Sequence, residues 1–141
     1  MKKLKNQNQE IKIYKNNIKD ESQNILSFSF FYFTKNKKYT FEKMDKKAKR
    51  DWKSALLERM ITISKESWVY WQGLSKENGI EMIFANELNF SPSNDYIFSK
   101  DEKVIVFRFN SERGRIIGVK KKDCPIFYVI GLDTDFSAYR H

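Results

Sequence analysis

The sequence predicts an α+β fold in which a mainly antiparallel sheet of four or five strands packs against a helical hairpin. Three observations predict it: an aromatic, alternating stretch comes first, a region of helical periodicity follows, and three apolar segments separated by short turns close the chain. With 141 residues, of which 40% are hydrophobic and 16% aromatic, the chain can bury one core. A small barrel that encloses the first helix is the alternative arrangement.

A strand followed by two helices is predicted for residues 25–74. Residues 25–33 alternate apolar side chains and are aromatic throughout, which is typical of a strand. Thr40 or Asp45 is then expected to cap a helix that extends to about Ser64. Its apolar face is formed by residues at spacings of four, four and three, namely Trp52, Leu56, Met60 and Ile63. A shorter helix over residues 67–74 completes the hairpin.

The rest of the chain predicts a short strand, a long loop and then a meander. The short strand is expected around Ile80–Phe84, and the loop follows it up to residue 102. Residues 104–109, 115–122 and 126–132 are apolar segments joined by short turns, which favours antiparallel pairing of consecutive strands. The last segment is apolar on both faces, so we expect it at the centre of the sheet.

Residues 1–24 are set apart by composition as a mobile, basic arm beside one domain at 25–141. Lys, Asn and Gln dominate them, without a clear hydrophobic period. No apolar stretch follows the basic start, and the longest apolar run has seven residues, so neither a secretory signal nor a membrane span is predicted. We therefore expect a cytoplasmic protein without membrane contact. One cysteine excludes an intrachain disulfide framework and a cysteine-based zinc cluster.

The charge of the chain favours a polyanionic partner. The 27 Lys and Arg residues against 18 Asp and Glu give a net charge of +9, which is typical of proteins that bind RNA or the ribosome. Because 21 of these 27 residues are lysines, the codon usage of an AT-rich genome is an alternative explanation for the positive charge. The charge is nevertheless uneven: residues 35–50 carry +6, residues 66–102 carry −5 and residues 103–141 carry +4. Such blocks predict a positive and a negative face.

Two groups of basic residues are candidates for holding an RNA backbone. The first lies at the front of the long predicted helix, where positive charge opposes the helix dipole, so that helix stability does not explain it. The second lies in and after the predicted meander. The candidates are Lys46, Lys47, Lys49 and Arg50 in the first group, and Arg113 and Arg140 in the second. A solvated, lysine-rich helix end is the alternative for the first group.

Arg108 and Arg115 form a candidate phosphate site. A short turn joins their strands, so the two side chains are expected to be cross-strand neighbours on one face of the sheet. Guanidinium groups match phosphate oxygens and can neutralise the charge of a pentacovalent phosphorane. The alternative is a pair of exposed arginines bridged to Glu112 or to the acids of residues 66–102.

The C-terminal Tyr139-Arg140-His141 is a candidate for proton transfer. His141 is the one histidine of the chain, and an imidazole titrates near neutrality, as a general acid or base requires. Asp133 and Asp135 could bind a metal ion, but a turn at the end of a strand explains both acids. The five glycines are scattered, so no glycine-rich phosphate loop is present.

Together these features resemble the RelE/ParE toxin superfamily over about residues 25–141. The segment 107–118 resembles the strand pair that carries the family's arginines, and Tyr139-Arg140-His141 resembles the tail of YoeB-type members. The additional residues at 1–24 and the insertion at 85–102 depart from the family pattern.

The resemblance implies an endoribonuclease toxin that needs no metal or other cofactor and cleaves mRNA at the ribosome through attack by the RNA's own 2′-hydroxyl. Arg108 and Arg115 would then stabilise the phosphorane, and Tyr139 or His141 would transfer protons. A neutralising antitoxin protein is the partner that the resemblance implies. The alternative is a non-catalytic module, an inhibitor or a regulator, that binds nucleic acid or an acidic protein through the same basic surface.

Overall fold

The computed structural model describes residues 25–141, so the arm predicted for residues 1–24 lies outside the described residues. Within the described residues, five strands and two helices follow one another. They are β1 (Ser27–Ser29), α1 (Lys46–Ser64), α2 (Trp68–Gln72), β2 (Ile80–Phe84), β3 (Lys103–Phe109), β4 (Gly114–Val119) and β5 (Ile126–Asp133). Two single 3₁₀ turns, Lys37–Tyr39 and Ala85–Glu87, lie in the connections.

The strands form one five-stranded mixed sheet in the order β1-β5-β4-β3-β2. Strands β3 to β5 form the predicted antiparallel meander, and β2 adds a further antiparallel strand to it. The middle strand is β4 and not β5, which lies between β4 and the edge strand β1. Strand β1 instead pairs parallel to β5, because the whole helical region separates the two strands in the chain. The α+β class is confirmed, whereas the barrel does not form over residues 25–141: β1 and β2 are open edges.

The predicted strand over residues 25–33 is only three residues long in the structure. The chain turns at Phe30, whose carbonyl oxygen accepts a hydrogen bond from the Phe33 N–H at 3.0 Å. The next residue, Thr34, donates its N–H to the Ile130 carbonyl oxygen at 2.8 Å. The turn interrupts the pairing with β5, which the chain contacts again at Thr34.

The helical hairpin is not confirmed. Helix α1 is long and begins as predicted, since the Asp45 side chain accepts the Ala48 N–H at 2.9 Å. Helix α2 has five residues, because the Gly73 N–H bonds to the carbonyl oxygens of both Val69 and Tyr70 and tightens the last turn. The Trp71 indole N–H donates to the Ile63 carbonyl oxygen at 2.9 Å, which ties this single turn to the end of α1.

The sheet has a core on each face. On the side covered by α1, which we call the helix face, the core is centred on Phe107, Ile116 and Phe127. On the opposite side, which we call the loop face, the 85–102 loop and the residues after β5 cover Val106 and Ile117. Because side chains alternate along β3, Val104, Val106 and Arg108 all lie on the loop face. No helix within residues 25–141 is long and apolar enough to cross a membrane.

Candidate functional site

Arg108 and Arg115 are direct cross-strand partners, as the sequence predicts. They are paired in the antiparallel ladder between β3 and β4, and Arg115 is paired in turn with Asp133 of β5. A row of three charged residues therefore crosses three adjacent strands at one end of the sheet. The register of the meander is what brings them together.

Arg115 is a buried cation that retains unused hydrogen-bonding capacity. The residue is 6% exposed, and its Nη1 donates to the main-chain oxygens of Glu112 at 2.6 Å and Gly114 at 3.0 Å. Its Nε is buried without a hydrogen-bond partner, and no salt bridge to Arg115 forms among residues 25–141. Its cross-strand neighbour Asp133 is a buried carboxylate, and buried charged groups of this kind are candidates for binding and catalytic sites.

Arg108 is the more accessible arginine of the pair. Its side chain is 16% exposed, and Nη1 lies 3.3 Å from a carboxylate oxygen of Glu112. One of the sequence-based alternatives, an arginine bridged to Glu112, is thus realised for Arg108. The Glu112 side chain is 57% exposed, so this ion pair is worth at most about 1 kcal/mol and can exchange readily for another anion. Among residues 25–141, the Nε of Arg108, like that of Arg115, is buried without a hydrogen-bond partner.

Asp133 folds the C-terminal tail back over the loop face. Its carboxylate is 1% exposed and accepts the main-chain N–H groups of Asp135 and Ser137 at 3.2 Å each and of Ala138 at 3.1 Å. The interpretation of this acid as part of a strand-end turn is confirmed. In the part of the chain that the structure describes, no three His, Cys, Asp or Glu side chains are grouped so that they could hold a metal ion.

His141 lies beside the same carboxylate. Its Nε2 is 3.7 Å from Oδ2 of Asp133, a distance at which a protonated imidazole forms an ion pair. The ring packs against Tyr139, with 4.2 Å between the ring centroids, and against Phe136 at 5.2 Å. The side chain remains 29% exposed. An accessible imidazole beside a buried carboxylate is a candidate for proton transfer.

Tyr139 is buried in this cluster, with 3% of its surface exposed. Its hydroxyl lies 3.4 Å from a carboxylate oxygen of Glu81 on β2. Burial, together with the negative charge of Glu81, raises the pKa of Tyr139 to about 12. At neutral pH the phenol is therefore protonated and can donate a hydrogen bond but cannot act as a base. Of the two predicted proton-transfer groups, His141 is the one that the geometry favours.

The pKa of Tyr139 predicts a specific loss of stability at high pH. The phenol has a pKa near 10 in the unfolded chain and about 12 in the folded one, so its contribution is complete below pH 10 and is lost as the pH rises toward 12. The free energy of unfolding, measured by denaturant titration, should fall by on the order of 2 kcal/mol more for the parent than for Tyr139→Phe over this interval. If the free energy of unfolding fell equally with pH in the two proteins, the raised pKa of Tyr139 would be contradicted.

The lysine-rich group on α1 lies apart from the cluster. Lys46, Lys47 and Arg50 are exposed and Lys49 is half-buried near the start of α1, which packs on the helix face. The two basic regions approach one another at the β3–β4 turn, where the Arg113 guanidinium lies 5.5 Å from the centre of the Trp52 ring of α1. Both regions thus reach the same end of the sheet, from opposite faces.

Three residues of the cluster were not identified as site residues from sequence. Asp133 could have been found, because the meander register places it opposite Arg115. Glu81 comes from β2, and the long loop between β2 and β3 hides its proximity to Tyr139. Phe136, whose ring centre lies 5.1 Å from the Arg115 guanidinium, follows no pattern in the sequence.

The cluster therefore combines two guanidinium groups that can face an anion with an accessible imidazole that can transfer a proton. Arg108, Arg115, Tyr139 and His141 belong to one face, and Arg140 is exposed beside them. Comparison of the chain with models of known families, with curated proteins and with solved structures finds no match.

Proposed function

We propose that the protein is a metal-independent endoribonuclease toxin of the RelE/ParE type that cleaves mRNA at the ribosome in the cytoplasm. The observation that carries the proposal is the convergence of Arg108, Arg115 and His141 on one face of the sheet. Guanidinium groups and an imidazole are sufficient for phosphoryl transfer from RNA, whose own 2′-hydroxyl supplies the nucleophile. The net charge of +9 supports a polyanionic substrate.

In the proposed reaction the 2′-oxygen attacks the adjacent phosphorus and the bond from phosphorus to the 5′-oxygen breaks. The 2′-hydroxyl loses a proton and the leaving 5′-oxygen gains one, so the products are a 2′,3′-cyclic phosphate and a 5′-hydroxyl. His141 transfers one of these protons and solvent water transfers the other, with the Asp133 carboxylate 3.7 Å from the imidazole Nε2. Tyr139 stays protonated and helps to position the imidazole against which it packs.

The arginines would act at different depths. The substrate phosphate displaces Glu112 from Arg108, since that exposed ion pair is weak. Arg115 contributes its charge from beneath the surface, where low dielectric strengthens its effect on negative charge that develops on the phosphorane. Lys46, Lys47, Lys49 and Arg50, together with Arg113 and Arg140, would hold the RNA or ribosomal backbone away from the reacting phosphate.

The proposal includes a neutralising antitoxin as the protein partner. The residues that it must cover are exposed: Arg140, Phe136 and the accessible part of His141 lie at the surface of the loop face. An acidic segment placed over them would block the phosphate site and satisfy Arg108.

Arg108→Ala is expected to abolish most of the activity. Single-turnover cleavage of RNA should fall by ~10²–10³-fold, as when one oxyanion donor is removed. The dependence of RNA affinity on salt should also become less steep, by about one counterion. Lys65→Ala, which removes an exposed lysine just beyond α1, is the matched control and should behave as the parent in both measurements.

Mapping of mRNA ends after induction in cells separates the proposal from its alternative. New ends that depend on Arg108 support the enzyme. Growth inhibition without new ends would contradict it and favour the non-catalytic binding module.

A further inference from the structure

Phe136 has a backbone conformation that is unfavourable for a bulky residue. Its φ is 60°, in the left-handed region that Gly and Asn adopt readily and aromatic residues rarely do. Such a conformation costs about 1–3 kcal/mol. Burial does not offset this cost fully, because the side chain is 49% exposed. A strained and half-exposed aromatic residue is therefore a candidate for function rather than for packing.

The residues on both sides hold Phe136 in this conformation. Asp133 Oδ1 accepts the N–H groups of Asp135 and Ser137, and Asp135 Oδ1 also accepts the Ser137 N–H at 3.2 Å. The Ser137 hydroxyl donates to the Asp135 carboxylate as well. These bonds fix the chain immediately before and after Phe136, so that the ring is projected over the loop face.

The position of the ring relates it directly to the phosphate site. Its centre lies 5.1 Å from the Arg115 guanidinium carbon and 5.2 Å from the centre of the His141 ring. Arg115 and His141 both contact the ring, yet Phe136 as a residue remains 49% exposed. A nucleobase stacked there would lie next to the two site residues that the ring contacts, Arg115 and His141.

We propose that Phe136 is the stacking platform for a nucleobase next to the scissile phosphate. This inference rests on the proposed function, because it assigns the base that accompanies the phosphate at the same site. Stacking on an aromatic side chain is worth about 1–3 kcal/mol per base and tolerates every base, since each presents a π face. The platform would therefore fix the position of the nucleotide without selecting its sequence.

The platform can be tested with an RNA that cannot be cleaved. The probe is a single-stranded oligonucleotide with 2′-O-methyl groups throughout and one 2-aminopurine, a base whose fluorescence falls when it stacks. We expect the parent to quench the fluorescence, and Phe136→Leu to lose the quenching and to bind about 10-fold more weakly. Phe136→Trp should retain both properties, because it restores an aromatic surface.

Phe84→Leu is the matched control. Phe84 is also an exposed aromatic residue with a cation near its ring, since Lys103 Nζ lies 5.0 Å from the ring centre, but it belongs to the edge strand β2. Its replacement should leave quenching and affinity unchanged. A uniform loss in both leucine variants would mean that the oligonucleotide contacts exposed aromatics without a defined site, and would contradict the platform.

Two further outcomes separate the platform from the proposed function. Parent-like quenching and affinity in Phe136→Leu, or no quenching by the parent itself, overturns the platform even if natural RNA is cleaved. Quenching that depends on Phe136 in a protein that leaves natural RNA intact supports the platform and overturns the endoribonuclease. Thermal unfolding of each variant, expected to stay within a few degrees of the parent, shows that the fold is retained.

Discussion

His141→Ala is expected to lower the single-turnover rate of RNA cleavage by ~10²–10⁴-fold, the usual contribution of a general acid or base. The variant should lose cleavage activity but remain folded. The imidazole is at the chain end and partly exposed, so the free energy of unfolding should change by less than about 1 kcal/mol. Rapid-quench kinetics with enzyme in excess and a denaturant titration measure the two effects.

Two comparisons make this result specific to proton transfer. A chain that ends at Arg140 should lose as much activity as His141→Ala. The salt dependence of RNA binding by His141→Ala should be nearly that of the parent, whereas Arg108→Ala should make this dependence less steep. Cleavage at the parent rate by the shortened chain would remove the histidine from the mechanism. Tyr139 is protonated at neutral pH, so it could then act only as a proton donor, and the same holds for an ordinary lysine.

Asp133→Ala should destabilise the protein by about 2–4 kcal/mol and lower the cleavage rate by a factor comparable to that of His141→Ala. The stability effect follows from the N–H groups of Asp135, Ser137 and Ala138, which lose their acceptor. The catalytic effect follows because the tail that carries His141 is held down by the same carboxylate. Denaturant titration measures the first effect, and single-turnover kinetics at a temperature where the variant is folded measure the second.

Asp135→Ala is the control for this substitution. Asp135 is exposed, and its carboxylate bonds only to Ser137 among residues 25–141, through the main-chain N–H and the hydroxyl. Removal of the Asp135 carboxylate should lower the free energy of unfolding by less than about 1 kcal/mol and should leave most of the cleavage activity. If the two alanine variants were equally stable and equally active, Asp133 would have no special part in holding the tail.

The part of the fold that sequence predicts best is the meander. Its strands are consecutive, its turns are short, and one-residue slips would exchange its buried and exposed faces. These constraints place Arg108 opposite Arg115, and the two residues are indeed partners in the ladder between β3 and β4. The cap of α1 is also local, and the structure places it at Asp45, one of the two candidates that the sequence offers.

The features that sequence did not predict depend on distant residues. The parallel pairing of β1 follows from where β5 lies after almost a hundred intervening residues, and the short length of α2 follows from the tight turn at Gly73. The burial of Arg115 and Tyr139 depends on how the tail folds back, which the hydrogen bonds of Asp133 determine. The left-handed conformation of Phe136 opposes its intrinsic preference, so no propensity could have indicated it.

The chemistry of the RNA ends tests the central claim most directly. The parent protein, acting on an mRNA bound to ribosomes, should leave a 2′,3′-cyclic phosphate on the upstream fragment and a 5′-hydroxyl on the downstream one, as mass spectrometry of the fragments can establish. A single 2′-deoxy substitution at the cleaved nucleotide should prevent the reaction. Fragments that end in a 3′-hydroxyl and a 5′-phosphate, or cleavage that persists at the 2′-deoxy position, would contradict a mechanism built on Arg108, Arg115 and His141.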